Sequence, residues 1–233
     1  ASAGDVNGDN YDDIIVGASN YDKGQTNEGA VFVWYGSATG LGESGTPANA
    51  DWQAESNQAS AYLGNPVASA GDVNNDDYDD IIVGASNYDN VESNEGVVFV
   101  WYGSATGLGE SGTPANADWQ AESNQATAYF GNSVASAGDV NGDNYDDIIV
   151  GASNYDNVES NEGVVFVWYG SATGLGESGT PANADWQAES NQASANLGRS
   201  VASAGDVNND NYDDIIVGAS NYDNVESNEG VVF

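Results

Sequence analysis

The sequence contains no cysteine, no histidine and no methionine, and only two of its 233 residues are basic, Lys23 and Arg199. The absence of cysteine excludes disulfide bonds and thiolate metal sites. The absence of histidine removes the usual general base and the commonest transition-metal ligand. No apolar run approaches the length of a membrane-spanning helix. We therefore expect neither an enzyme nor a membrane-inserted protein.

Negative charge dominates the chain, because 37 acidic residues give a formal net charge of −35. Such a surface repels nucleic acid and anionic membranes, so neither is expected as a partner, and it attracts divalent cations. High acidity with few aromatic residues would favour disorder. Here 39% of the residues are hydrophobic and 10% are aromatic, and they cluster periodically. The composition therefore predicts a folded chain.

One acidic stretch recurs through the sequence: it begins at Asp5 and returns at Asp72, Asp139 and Asp206, which gives a period of 67 residues. Residues 68–134 and 135–201 are nearly identical, so the repeats arose by recent duplication or by design. A fixed period of this kind indicates an array of equivalent structural units. We predict unit boundaries at 1–61, 62–128, 129–195 and 196–233, the last unit being incomplete.

Each unit has the pattern of four short strands and no helical periodicity. In the second unit, residues 67–71 are small, residues 80–85 are apolar on both faces, and residues 97–102 are β-branched or aromatic. Residues 103–117 predict a long surface connection, and residues 118–122 a polar outer strand that meets water. A tryptophan recurring in the third and outer strands favours core packing over sugar stacking. The predicted fold is an all-β propeller of four-stranded antiparallel blades, with about 3.5 blades in this chain.

An incomplete ring would leave apolar faces and strand edges uncovered. The chain also begins and ends inside predicted strands. Two explanations stay open: two copies associate to close a ring, or the chain is a segment of a larger propeller.

The acidic stretch has the pattern of a metal-binding loop. Oxygen-bearing residues occupy loop positions 1, 3, 5 and 9, and position 7 can offer a main-chain carbonyl; such ligands suit Ca²⁺ better than Mg²⁺. Position 6 requires a sharp turn, which Asn or Asp can adopt in place of Gly. The predicted ligands are Asp5, Asn7, Asp9, Tyr11 and Asp13; Asp72, Asn74, Asp76, Tyr78 and Asp80; Asp139, Asn141, Asp143, Tyr145 and Asp147; and Asp206, Asn208, Asp210, Tyr212 and Asp214.

The alternative is a solvated Asx-rich turn that binds no ion. Four loops with the same spacing favour the metal site, with about one Ca²⁺ per loop and four per chain. An EF-hand is excluded, because position 12 is valine in every copy where an EF-hand requires glutamate.

These motifs resemble the FG-GAP repeat of integrin α-subunit propellers and their bacterial relatives. Leu63-Gly64, Phe130-Gly131 and Leu197-Gly198 stand where the family has Phe-Gly, and Gly-Ala-Ser stands at 17–19, 84–86, 151–153 and 218–220. The family's proline is missing from the second motif. The resemblance implies a seven-bladed propeller with Ca²⁺ in the loop between the first two strands of a blade, and ligand binding by loops on the opposite face.

The loop between the second and third strands is also acidic and, by resemblance, lies on the ligand-binding face. In the second unit its candidate ligand-binding residues are Tyr88, Asp89, Glu92 and Glu95; the alternative is a solvated polar loop. The paired acids Asp79 and Asp80 recur in every unit, which makes a single catalytic centre implausible.

The sequence thus predicts a secreted or cell-surface, calcium-binding propeller that acts as a binding or adhesion module for an extracellular protein or glycan. Two alternatives are a structural array that tiles a surface layer or filament, and an accessory propeller of a larger secreted enzyme.

Overall fold

A computed structural model describes residues 1–42 and 44–233, whose strands form four antiparallel sheets in chain order. The first sheet contains β1 (Ser2–Gly4), β2 (Asp13–Ala18), β3 (Ala30–Trp34) and β4 (Trp52–Glu55). The second contains β5 (Val67–Gly71), β6 (Asp80–Ala85), β7 (Val97–Trp101) and β8 (Trp119–Glu122). The third contains β9 (Phe130–Gly138), β10 (Asp147–Ala152), β11 (Val164–Trp168) and β13 (Trp186–Glu189), with β12 (Ala172–Leu175) in its connecting loop. The fourth contains β14 (Leu197–Gly205), β15 (Asp214–Ala219) and β16 (Val231–Val232).

Within residues 1–42 and 44–233, the helical content is confined to two 3₁₀ turns, Pro47–Asn49 and Pro114–Asn116. No helix in the described ranges is long and apolar enough to cross a bilayer.

The sheets are arranged as blades around a common axis. Within each sheet the strands pair from an inner first strand outward, and the inner strands of consecutive sheets pack against one another: β1 with β5, β5 with β9, and β9 with β14. This is the architecture of a partial β-propeller, and it confirms the predicted fold class.

The second strand of each blade has the same sequence, Asp-Ile-Ile-Val-Gly-Ala, but its burial depends on its neighbours. It is buried throughout in β6 and β10, as predicted for a strand covered on both faces. In the first blade Val16 is 43% exposed, and in the last blade Ile216 is 41% exposed. Successive side chains on a strand point to opposite faces, so the first and last blades each have one uncovered face, on opposite sides.

The prediction that the outer strand meets water was wrong for one of its faces. Trp119 and Ala121 in β8 are buried beneath the next blade, whose Gly179 carbonyl accepts a hydrogen bond of 3.1 Å from the Glu122 N–H. The connection predicted at residues 103–117 lies at the surface, as expected, and it also packs on the first blade, where the Glu55 N–H donates to the Gly112 carbonyl at 3.2 Å. In these two cases the connection of one blade covers the outer strand of the preceding blade.

The inner strand also differs from the prediction in two blades. It starts at residue 67 in the second blade, as expected, but β9 and β14 begin earlier, at Phe130 and Leu197. The added residues form the Phe-Gly motif, whose backbone lies against the preceding blade: a Cβ atom on Gly84 would lie 2.2 Å from the Gly131 carbonyl oxygen. Glycine at position 84 thus permits a close approach of two backbones.

Candidate metal-binding loops

Each acidic stretch forms the loop between the first and second strands of its blade, at one end of the propeller. Position 6 adopts the predicted left-handed conformation in all four copies: φ is 69° at Asn10, 73° at Asp77, and 70° at both Asn144 and Asn211. In each copy the N–H of position 6 donates to the carboxylate at position 1, which closes the turn.

Hydrogen bonds within the loop bring positions 1 and 3 together. The Asp9 N–H lies 3.1 Å from Asp5 Oδ1 and 3.0 Å from Asn7 Oδ1, and the Asn10 N–H donates to Asp5 Oδ2 at 2.7 Å. In the third blade, the corresponding N–H of position 5 likewise donates to both side chains, at 3.0 and 2.9 Å. The two oxygens therefore share one side of the loop.

The acid at position 9 is buried at the base of the loop. Asp80 Oδ2 accepts the Val73 N–H at 3.0 Å, and Asp80 Oδ1 accepts the Gly103 N–H at 2.9 Å. Burial, which is the largest cause, and the nearby carboxylates Asp72 and Asp76 together raise the pKa of Asp80 to about 8, although its two hydrogen bonds act in the opposite direction. Positions 1, 5 and 9 are thus close enough to repel one another when ionised.

The corresponding acids of the neighbouring blades behave alike. Burial raises the pKa of Asp13 to about 6 and that of Asp147 to about 7, again with contributions from the acids at positions 1 and 5.

The donor chemistry of the loops fits a hard cation. Across residues 1–42 and 44–233, no three Asp, Glu, His or Cys side chains form a metal-binding cluster by themselves. The predicted ligand set, however, also includes an amide oxygen and a main-chain carbonyl. Asn74 Oδ1, at position 3 of the second loop, is buried and has no hydrogen-bond partner in the described part of the chain. A buried, unpaired acceptor beside carboxylates is the kind of atom that a bound cation would satisfy.

Position 8 has a role that the sequence analysis did not predict. Asp79 Oδ2 accepts the N–H of Asp5, in the preceding blade, at 2.7 Å, and the Asp79 N–H donates to the Asp5 carbonyl at 3.0 Å. Asp146 and Asp213 make the same pair of bonds to Asp72 and Asp139. The second acid of each Asp-Asp pair closes its own loop, whereas the first acid connects neighbouring loops in the second, third and fourth blades. The sequence did contain a sign of this role, because position 8 is aspartate in all four copies although the predicted metal site does not use it.

This connection explains the glycine before each acidic loop. Gly71 has φ of 77°, and a Cβ atom there would lie 2.0 Å from Asp146 Oδ2. Gly205 has φ of 66°, but nothing lies within 4 Å of its Cβ position. We expect Gly71→Ala to cost about 1 to 2 kcal/mol more than Gly205→Ala, because both add left-handed strain but only the first displaces the interblade carboxylate. Thermal unfolding of the two variants checks this, and equal losses would contradict it.

The loop between the second and third strands is held by its own acidic residues. Glu95 is 1% exposed, and its Oε1 accepts the N–H groups of Asn90 and Val91 at 2.6 and 2.7 Å. The Tyr88 hydroxyl donates to Asn57, in the preceding blade, at 2.9 Å.

The four predicted ligand-binding residues of this loop therefore differ in their exposure and in their contacts within the fold. Asp89 Oδ1 accepts the Asn94 N–H at 2.6 Å, yet the residue is exposed, as is Glu92. Glu95 and Tyr88 are used within the fold, so direct ligand contact from this loop remains a prediction chiefly for Asp89 and Glu92.

The repeat geometry matches a known family. The model of the FG-GAP repeat matches residues 1–34, 65–101, 130–168 and 197–233. The chain belongs to the FG-GAP repeat family. Each match spans the first three strands of a blade, including the acidic loop, so the FG-GAP motif coincides with the part of the blade that carries the candidate metal site.

FG-GAP proteins similar to this chain include several integrin α-subunits. Integrin alpha-6 of Homo sapiens is 32% identical over 149 residues, which cover 64% of this chain and 12% of the relative. Integrin alpha-8 of Gallus gallus is 28% identical over 224 residues, 94% of this chain and 19% of the relative. Integrin alpha-PS2 of Drosophila melanogaster is 31% identical over 159 residues, 66% of this chain and 11% of the relative. The chain therefore spans less than a fifth of these relatives and is an integrin-like FG-GAP domain.

Proposed function

We propose that this domain is a calcium-stabilised binding or adhesion module of an extracellular protein. The observation that carries the proposal is the recurrence, in all four loops, of the left-handed turn at position 6 and of its N–H contact with the carboxylate at position 1. The similarity to integrin α-subunits supports the adhesion role and a location outside the cell or on its surface. The lack of histidine and cysteine supports a non-enzymatic function.

In the second loop, Asp72, Asn74, Asp76, the carbonyl of Tyr78 and Asp80 would hold the cation, and the equivalent residues would do so in the other blades. Bound Ca²⁺ supplies positive charge that offsets repulsion among the loop carboxylates. The protein groups position these oxygens through the left-handed turn and the N–H contacts of the loop. Because Asp79 links the second loop to the first, order in one loop supports its neighbour.

Native mass spectrometry from calcium-containing buffer tests the proposal. We expect one calcium ion for each acidic loop, and one ion fewer in Asp76→Ala. Glu92→Ala, which removes an exposed acid outside the metal loops, should keep the full number. Extracellular calcium-binding modules have dissociation constants of about 10⁻⁴ to 10⁻³ M. At such an affinity, about 1 mM free calcium should stabilise the fold by about 0.4 to 1.4 kcal/mol per occupied loop. Absence of calcium, together with a thermal midpoint that chelator does not change, would leave the loops as Asx-rich turns.

The same spectra count the chains in each particle. We propose that copies of this chain associate through their uncovered blade faces, which would close a ring or extend an array. The exposure of Val16 and Ile216, whose counterparts in the middle blades are buried, supports such pairing. A dimer at micromolar concentration favours ring closure, larger particles favour a structural array, and a monomer at all concentrations argues against both.

A further inference from the structure

A polar pocket of about 490 Å³ lies at the end of the blades away from the acidic loops. Three Ser-Asn pairs that follow the second strands, at 86–87, 153–154 and 220–221, form part of its wall. The rest is formed by residues at or just before the inner strands: Tyr129, Asn132, Asn196 and Arg199. No lining residue is a carboxylate, although the chain has 37 of them, and one of its two cations is present.

Two of the six positions that distinguish the central repeats line this pocket. The two central copies, residues 68–134 and 135–201, differ at only six positions. The pairs are Asn75/Gly142, Asp77/Asn144, Thr127/Ser194, Tyr129/Asn196, Phe130/Leu197 and Asn132/Arg199. Both members of two pairs, Tyr129/Asn196 and Asn132/Arg199, line the pocket. The pocket therefore presents different side chains from two otherwise matching units, Tyr and Asn from one and Asn and Arg from the next.

Hydrogen-bond donors in the pocket are left without acceptors. Asn132 Oδ1 accepts the Ser153 N–H at 3.0 Å, which fixes the orientation of the amide. Its Nδ2 atom is buried and has no hydrogen-bond partner among the described residues. A buried donor of this kind calls for an acceptor that the chain does not supply.

The Arg199 guanidinium is also unpaired within the part of the chain that the structure describes. It is exposed and has no carboxylate within 4.0 Å, although it borders a neighbouring depression that contains Glu229. The other cation of the chain, Lys23, pairs with Glu55 at 3.2 Å. Two unpaired donors, one of them positively charged, indicate a ligand rich in acceptor oxygens.

Tyr129 supplies an aromatic side chain to the pocket, where the equivalent residue of the next blade is Asn196. Tyr129 has φ of 51°, and its equivalents Tyr62 and Asn196 both have φ of 55°. This left-handed conformation therefore belongs to the repeat. The feature that Tyr129 brings to the pocket is its ring.

We propose that this pocket binds an acidic saccharide, with the carboxylate of a hexuronate unit directed to Arg199 and Asn132. The row of Ser and Asn side chains would bond the sugar hydroxyls, and the Tyr129 ring would cover one sugar face. This inference names a ligand class for the binding function proposed above and rests on it.

Titration with trigalacturonate, followed by two-dimensional NMR at about 0.15 M salt, tests the inference; the Debye length there is about 8 Å, which screens distant carboxylates. We expect shifts at the pocket residues and binding at least about tenfold tighter than that of the neutral galactotriose, because one charge-assisted contact is lost. Arg199→Asn and Tyr129→Asn should each weaken trigalacturonate binding by about tenfold. Both variants install the residue that another blade carries at the same position, so the fold should be retained.

Two control variants separate binding in the pocket from the effects of net charge and of a lost tyrosine elsewhere in the chain. Lys23→Asn removes the other cation, and Tyr62→Asn makes the same change at a blade position outside the pocket; both should leave binding unchanged. Equal affinity for the neutral trisaccharide, no binding, or full binding by Arg199→Asn would overturn the inference. Tighter binding of a tri-glutamate peptide at the same residues would replace the saccharide with an acidic peptide. Loss of uronate binding with calcium still bound would leave the proposed metal-stabilised module intact.

Discussion

Trp119→Ala is expected to lower the free energy of unfolding by about 3 to 5 kcal/mol, as for other buried tryptophans. Trp119 is only 3% exposed; its ring lies 5.5 Å from that of Trp168 in the next blade, and its Nε1–H donates to the Glu177 carbonyl at 2.9 Å. Gly179 packs directly on the ring. Truncation would leave a cavity between two blades and one carbonyl without its donor. For a chain of this size, each kcal/mol corresponds to about 2 to 4 °C in the thermal midpoint.

Trp186→Ala is the matched control, because Trp186 occupies the same place in the third blade but is 42% exposed. The described chain places no equivalent of Trp168 or Gly179 over it. We expect a loss of about 1 kcal/mol or less. Thermal and urea unfolding of both variants at low protein concentration gives the comparison. Similar losses would show that the stability of Trp119 comes from its own sheet and that blade-to-blade packing contributes little.

This contrast shows how far the sequence predicts the fold. The 67-residue period predicts the order of the strands and the composition of each blade. Adjacent apolar residues such as Ile81 and Ile82, which lie on opposite faces of the second strand, predict that this strand is buried. Identical sequences cannot indicate which copy has a neighbour. The different exposures of Trp119 and Trp186, or of Val83 and Val16, depend on position in the array and require the structure.

The turn of the candidate metal loops could be predicted from the sequence, whereas the contacts between blades could not. Alternating oxygen donors and the left-handed residue at position 6 are local features, so the sequence of one loop is enough to predict them. The link from Asp79 to Asp5 and the pocket around Arg199 join residues from different repeats. A repeat sequence shows that such positions recur or vary, but not which repeats they join in space.

Asp80→Ala should also lower the free energy of unfolding strongly. When the variant is measured in the presence of chelator, the loss reports only the contribution of Asp80 that does not depend on a metal ion. The Asp80 side chain is fully buried and accepts the N–H groups of Val73 and Gly103. Its removal leaves two buried donors without acceptors, each of which costs about 1 to 3 kcal/mol. We therefore expect a loss of about 2 to 6 kcal/mol in chelator, and a larger loss in calcium, where a proposed ligand is removed as well.

Asp214→Ala makes the same change in the last blade, where the side chain is only half-buried and its contact with the Val207 N–H, at 3.0 Å, is exposed. Water can replace that acceptor, so the loss in chelator should stay below about 1 kcal/mol. Urea unfolding of both variants, with and without calcium, separates the two roles of this position. Equal losses of the two variants in chelator would contradict the role of Asp80 as a buried acceptor. A loss for Asp80→Ala that is no larger in calcium than in chelator would exclude Asp80 as a calcium ligand.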